Sequence, residues 1–215
     1  DINKNVKSLF TILQDTRRRC EDVSKPYFKV INSNTFISQK ELDNFGKEIK
    51  ENLSDVKNCD SKNAVETTTH IKPIETKVIW VDPTANNNTD DIQRSIKTTN
   101  DGDFELYAVI YGGHLTESSH YIALIQTRDK EWYIHNDSKV EKYNKINTTV
   151  PGVLNDLNKR YLFYISSEDI SLLPEKNTIG FGQKGNSCWF ASILKVLLNL
   201  PYFIGAVLDS LEDGG

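Results

Sequence analysis

Three kinds of side chain here have the chemistry for nucleophilic acyl transfer: a thiol, an imidazole and carboxamides. Cys188 follows the run Gln183-Lys184-Gly185-Asn186-Ser187 and opens a segment in which Ile193, Val196, Leu197 and Leu200 recur at three and four residues. That period predicts a helix starting at Cys188 and stopped by Pro201. A thiol attacks only as its thiolate, and the positive end of a helix dipole favours the anion. The glycine in the approach lets backbone come close to a substrate carbonyl, where the Cys188 N–H and the Gln183 amide are candidate oxyanion donors. A lone cysteine at a helix start is as often a buried, inert side chain, so Cys188 alone decides nothing.

A thiol nucleophile needs a base, and the base needs a polar group to orient it. Of the four histidines, His120 stands at the start of an apolar run, Tyr121–Gln126. One hairpin later comes Trp132-Tyr133-Ile134-His135-Asn136-Asp137, which puts Asn136 or Asp137 within reach of His120 on the neighbouring strand. His70 and His114 fall in segments predicted as loops, with no orienting partner nearby, and are expected to be solvated.

The elements that must carry these groups differ along the chain. Ile2, Val6, Leu9, Phe10 and Leu13 stand at helical spacing, and Ser38 with Glu41 forms a capping-box pattern ahead of a helix reaching about Leu53. The first quarter is therefore predicted to be helical, followed by a polar loop over Ser54–Thr69. A strand is expected at Thr76–Val81, stopped by Pro83, then a loop at Asn86-Asn87-Asn88. From Phe104 onward the text is apolar and β-branched: Phe104–Tyr111, Tyr121–Gln126, Trp132–His135 and Tyr161–Ser166, with turn signals at Gly112-Gly113 and Asp129-Lys130. The fold class is α+β, built on an antiparallel sheet.

The chain has 215 residues with 38% hydrophobic content, enough for one good core and short for two. A net charge of -4 and a pI of about 5.6 give no basis for binding phosphate backbones, so nucleic acid is not an expected partner. Arg17-Arg18-Arg19 is read as a solvated helix face. No apolar run reaches the roughly 20 residues of a membrane span, and the N-terminus has no signal-like apolar stretch. Cys20, Cys59 and Cys188 are odd in number with no CxxC pair, which suggests neither a disulfide framework nor a metal site and fits a reducing compartment. A chain without methionine that opens on Asp1 reads as a processed piece of something longer.

Two segments go further. Gly185-Asn186-Ser187-Cys188-Trp189-Phe190-Ala191-Ser192, running on to Leu197 and Pro201-Tyr202-Phe203, resembles the cysteine box of the ubiquitin-specific proteases. Glu105-Leu106-Tyr107-Ala108-Val109, then Ser119-His120-Tyr121-Ile122-Ala123-Leu124, then Trp132-Tyr133 and Asn136-Asp137-Ser138, is similar to that family's histidine box. Val78-Ile79-Trp80-Val81 and Tyr161-Leu162-Phe163-Tyr164 look like its flanking sheet strands. The resemblance covers about half of the chain and none of residues 1–70.

What the resemblance implies is a papain-like cysteine protease fold, a helical thumb on an antiparallel palm, in circularly permuted order, because the family carries cysteine first and histidine last. Residues 1–70 would supply the helical thumb, 71–167 the β-rich palm, and 168–215 a linker and the cysteine-box helix. Cys188 becomes the nucleophile, His120 the base and Asn136 the orienting residue, with Asp137 beside it as a second polar group. Gln183 takes the oxyanion position, where the family usually has Asn. The implied partner is ubiquitin or a ubiquitin-like protein, with no cofactor and no metal. The zinc-binding fingers of larger members would be reduced or absent. The implied setting is cytoplasmic, or host cytosol for a viral or bacterial protein. The order histidine, amide or acid, Gln, cysteine also occurs in SUMO-type and adenovirus-type proteases, and the fold is also used as an inactive binding module. The ending Gly214-Gly215 is what self-cleavage by such a protease would leave, and an arbitrary boundary of an excised piece explains it as well.

Overall fold

The computed structural model describes residues 6–20, 28–54, 63–72, 76–81, 91–97, 102–113, 120–146, 149–155, 157, 159–176, 180 and 188–212. Among these, two antiparallel sheets dominate. The smaller is built from β1 (Ile12–Cys20), β2 (Phe28–Asn34), β3 (Ile49–Ser54) and β4 (Asn63–Ile71) in the order β2-β1-β4-β3. Among the described residues strand therefore outweighs helix over 6–71, which corrects the helical thumb expected over residues 1–70 and, over 63–69, the loop expected at Ser54–Thr69; residues 55–62 lie outside the described residues. The reason lies in cross-strand pairing: Gln14 stands opposite His70, Thr16 opposite Thr68 and Arg18 opposite Glu66. Such pairs are the unit of sheet stability, and they join segments too far apart in sequence for local periodicity to reveal. Val6, Leu9 and Phe10 belong to a helical turn before β1, and together with Leu13 they imitate a helical period.

The arginine run is likewise part of a strand. Arg17 Nη2 lies 2.5 Å from Asp15 Oδ2, and Arg18 Nε lies 2.6 Å from Glu66 Oε2. Cys20, which closes β1, is disulfide-bonded, while Cys188 is not in a disulfide. Cysteine count therefore ceases to argue for a reducing compartment; an odd number concealed a pair. The capping box does form: Glu41 N–H donates to Ser38 Oγ and Ser38 N–H donates to the Glu41 carboxylate, opening α1 (Gln39–Asp43). That helix is one short turn and stops before β3.

The larger sheet contains β5 (Val78–Val81), β7 (Ser95–Lys97), β8 (Asp103–Gly112), β9 (Ile122–Gln126), β10 (Trp132–Asn136), β11 (Lys139–Tyr143) and β13 (Lys159–Ser166). Its order is β11-β10-β9-β8-β13-β5, with β7 on β8; β6 (Ile92–Gln93) and β12 (Thr149–Val150) form a separate pair. Both faces are covered. Phe104, Leu106, Val109, Tyr111, Ile122 and Leu124 pack toward Leu42, Phe45 and Ile12. Tyr107, Ala108, Ile110, Ala123 and Ile125 pack toward Val196, Leu200, Ile170 and Leu173. A strand buried on both sides has no solvent-facing alternate positions, so all of β9 is buried and residues 122–125 read as an apolar run that ends at the buried Gln126.

On that second face lie a 3-10 helix (Ser167–Leu172), α2 (Cys188–Leu198) and α3 (Pro201–Glu212). α2 packs on β8, β9 and α3. Among the described residues no single helix is long and apolar enough to cross a membrane, although α2 and α3, bent by 88° at their junction, would be so together.

Candidate active site

Cys188 is the first residue of α2 and is 6% exposed, whereas its neighbours Trp189 and Phe190 face solvent. The buried stripe of this helix runs through Cys188, Ala191, Ser192, Lys195 and Val196, at spacings of three, four and seven residues. The stripe lies on β9, the strand that His120 and Tyr121 lead into. Apolar burial of Val196 and Leu200 against the sheet thus fixes where the cysteine stands along the strand.

His120 Nε2 lies 2.7 Å from Asn136 Oδ1. An amide oxygen only accepts, so Nε2 carries the proton and Nδ1 keeps the lone pair that a base requires. The bond follows from sheet register: β9 and β10 are antiparallel with His135 opposite Ala123, so Asn136, the last residue of β10, comes level with Ile122, and His120, two residues before Ile122, is its diagonal neighbour. Of the two polar candidates on this turn, Asn136 is therefore the one that meets His120. Asp137 adopts φ +52°, its Oδ1 is buried without a hydrogen-bond partner, and its backbone carbonyl accepts from Lys195 Nζ at 2.5 Å.

Two glycines shape the surroundings. A Cβ on Gly112 would stand 2.0 Å from the Tyr121 ring, so the glycine leaves room for the residue next to His120. A Cβ on Gly180 would stand 2.3 Å from the Ser138 carbonyl oxygen; the chain approaching α2 and the β10–β11 turn touch backbone to backbone. Gln183 and the rest of 181–187 lie outside the described residues, as do His114 and Ser119.

The other histidines have separate roles. His70 is not in a loop: it sits on β4, 1% exposed, with Nε2 3.2 Å from Glu41 Oε1 but without hydrogen-bond geometry. Burial pushes the Glu41 carboxyl up, yet the Ser38 hydrogen bonds and His70 outweigh it and hold the group below the usual range. His135 on β10 is fully buried, and its ring nitrogens have no hydrogen-bond partner. Burial first, and the Lys195 charge second, pull its pKa down to about 4.

Because an unfolded chain would hold His135 near pKa 6.5, the folded state keeps its full advantage above that pH and loses it as pH falls toward 4, where the unfolded chain takes up the proton first. Stability is expected to drop by about 2 kcal/mol from this group between pH 7 and pH 5. Urea midpoints at the two pH values should show the loss in the native protein and a smaller one in His135→Gln; an equal loss in both would refute the assignment.

No protein-family model matches the chain, and no curated protein matches it. Solved structures do. A variant SAGA Ubp8/Sgf11/Sus1/Sgf73 DUB module contains a chain 18% identical to this one, with a TM-score of 0.54, over 74% of this chain and 41% of that chain. The fold is similar to that of a deubiquitinase. The yeast SAGA DUB module with an Sgf73 mutant matches at 17% identity and a TM-score of 0.54, again over 74% and 41% of the two chains. A third such module, bound to monoubiquitin, matches at 14% identity and 0.52, over the same 74% and 41%. The chain therefore spans about two fifths of the length of these neighbours, and at this identity the likeness is one of fold.

A cavity of about 340 Å³ lies on the opposite face, lined by Leu42, Phe45, Ile96, Arg160 and Tyr164 among others; none of Cys188, His120 and Asn136 lines it. Among the described residues no group of three or more His, Cys, Asp or Glu side chains could hold a metal ion.

Proposed function

We propose that this chain is a cysteine-type deubiquitinase that cleaves peptide or isopeptide bonds after the C-terminal Gly-Gly of ubiquitin. The observation that carries the reading is the His120 Nε2 to Asn136 Oδ1 hydrogen bond, set at the head of the strand on which the Cys188 helix packs. The likeness to DUB modules, one of them bound to monoubiquitin, supports the substrate class. Histidine precedes cysteine in the chain, and in our reading this is a circular permutation of the ubiquitin-specific protease order, since catalysis depends on the spatial constellation and not on the path of the chain.

In this mechanism His120 Nδ1 accepts the Cys188 proton, while Asn136 holds the ring and the Nε2 proton in place. The thiolate adds to the carbonyl carbon of the terminal glycine, and the Cys188 N–H with the Gln183 amide receives the negative oxygen. Collapse of the tetrahedral intermediate breaks the C–N bond, and the amine leaves with the proton from His120. A thioester remains. His120 then removes a proton from water as the oxygen adds to the thioester; collapse breaks the C–S bond, the departing thiolate takes the proton back from His120, and ubiquitin leaves as the acid, which gives its proton to solvent.

The test is intact mass after mixing the protein with ubiquitin bearing a C-terminal propargylamide, alongside Cys188→Ala and a SUMO probe. The expected result is one ubiquitin adduct, absent in the variant. An adduct with SUMO alone would transfer the reading to the SUMO-type proteases; no adduct from folded protein would leave an inactive binding module.

A further inference from the structure

We propose that Lys195 is a positioning residue for this reaction: from the nucleophile's own helix it grips the Asp137 carbonyl, and so fixes Asn136, and through it His120, relative to Cys188. The inference rests on the cysteine-protease reading above.

Lys195 stands seven residues after Cys188, two turns along the same buried stripe of α2. It is only 2% exposed. A lysine on a helix ordinarily reaches its ammonium to water, and burying the charge is costly unless something receives it. Here Nζ donates to Asp137 O at 2.5 Å. The bond is not needed to hold α2 on the sheet, because Val196 and Leu200 already pack there. What it adds is a fixed distance between the helix and one turn.

That turn is the one which matters for the base. Asn136 pairs with Lys139 in the β10–β11 hairpin, so Asp137 and Ser138 are the loop. Asp137 has φ +52°, the left-handed conformation that a two-residue hairpin loop asks of its first residue and that Asp tolerates. Lys195 holds the turn at the carbonyl of Asp137, one residue from the amide that meets His120. Gly180, on the approach to α2, presses the same turn at Ser138. The turn therefore has a neighbour at each of two successive residues, and the hydrogen bond from the Cys188 helix is the one at Asp137. The groups facing the ammonium are the Asp137 carboxylate, which favours its charge, and His135, which is kept neutral beside it.

Lys195→Met keeps the volume and removes the donor; Lys195→Gln keeps a shorter, neutral donor. Two readouts separate positioning from plain stability: the kcat and KM for a fluorogenic ubiquitin amide, and the rate at which iodoacetamide labels Cys188 at pH 6.5, read by peptide mass. The expected result for Met is a fall in kcat of about 10- to 100-fold with KM within about twofold, and labelling slower by roughly tenfold. Gln should lie between Met and the native protein in both. If Met does not fold, Gln carries the test, with a several-fold loss expected. A folded variant with native kcat and native labelling would overturn the proposal, as would a loss confined to KM. Labelling needs no ubiquitin, so the proposal can fail or stand even where the native protein forms no ubiquitin adduct.

Discussion

His120→Ala is expected to lower kcat/KM for a fluorogenic ubiquitin amide by roughly 10⁴-fold, with the protein still folded. The size follows from the two steps that the proposed mechanism assigns to the imidazole: taking the thiol proton before attack and returning a proton to the leaving amine. The side chain is only half-buried and its one described hydrogen bond is to Asn136, so its removal empties no core. Asn136→Ala should cost far less, about 10- to 100-fold, since the ring loses its tether but not its chemistry. His70→Ala is the informative control. That side chain is buried beside Glu41 in the other sheet, so its loss should show in the unfolding midpoint and not in the chemical step. A His120→Ala protein of near-native activity would end the assignment of the base.

Gly180→Ala is the second change with a large expected effect. Its Cβ would lie 2.3 Å from the Ser138 carbonyl oxygen and 2.7 Å from the carbonyl carbon, and backbone cannot swing aside as a side-chain tip can. One of the two segments must move by the better part of an ångström. Overpacking of this kind destabilises by about 1–3 kcal/mol. The catalytic loss should be greater in proportion, near 100-fold, because the displaced turn carries Asn136 one residue before Asp137. Gly205→Ala provides the contrast: a Cβ there meets nothing within 4 Å, and Gly205 lies inside α3, so a gain of about 0.5–1 kcal/mol is expected. Thermal unfolding and steady-state kinetics on the two variants check both.

The larger sheet and the helix that opens at Cys188 were legible in the sequence because their physics is local. Strands β8 and β9 are buried on both faces and show as apolar runs, and α2 writes its period in Ile193, Val196 and Leu197, with Leu200 continuing it just past the helix end. The pairing of His120 with the end of β10 could be anticipated too, since one hairpin joins their strands. The four-stranded sheet could not. Its interior is partly polar, Asp15 being 5% exposed and held by Arg17, and its stability comes from partners such as Arg18 and Glu66 that local pattern does not connect. Lys195 was missed for a related reason: a lysine between Leu194 and Val196 in a helical period reads as a solvated charge. Only the register of α2 on β9 turns it inward.

The position of Cys188 after β13, with His120 ahead of β9, has a bearing on biosynthesis. Chains emerge N-terminus first, so the imidazole and its amide partner leave the ribosome on strands that can already pair, while the thiol arrives with the closing helix. If Cys188 is the nucleophile we propose, a growing chain would carry no Cys188 thiol until the strands of the larger sheet have been made. Ribosome-bound chains arrested before and well after Cys188 should differ accordingly, only the longer one trapping a ubiquitin warhead.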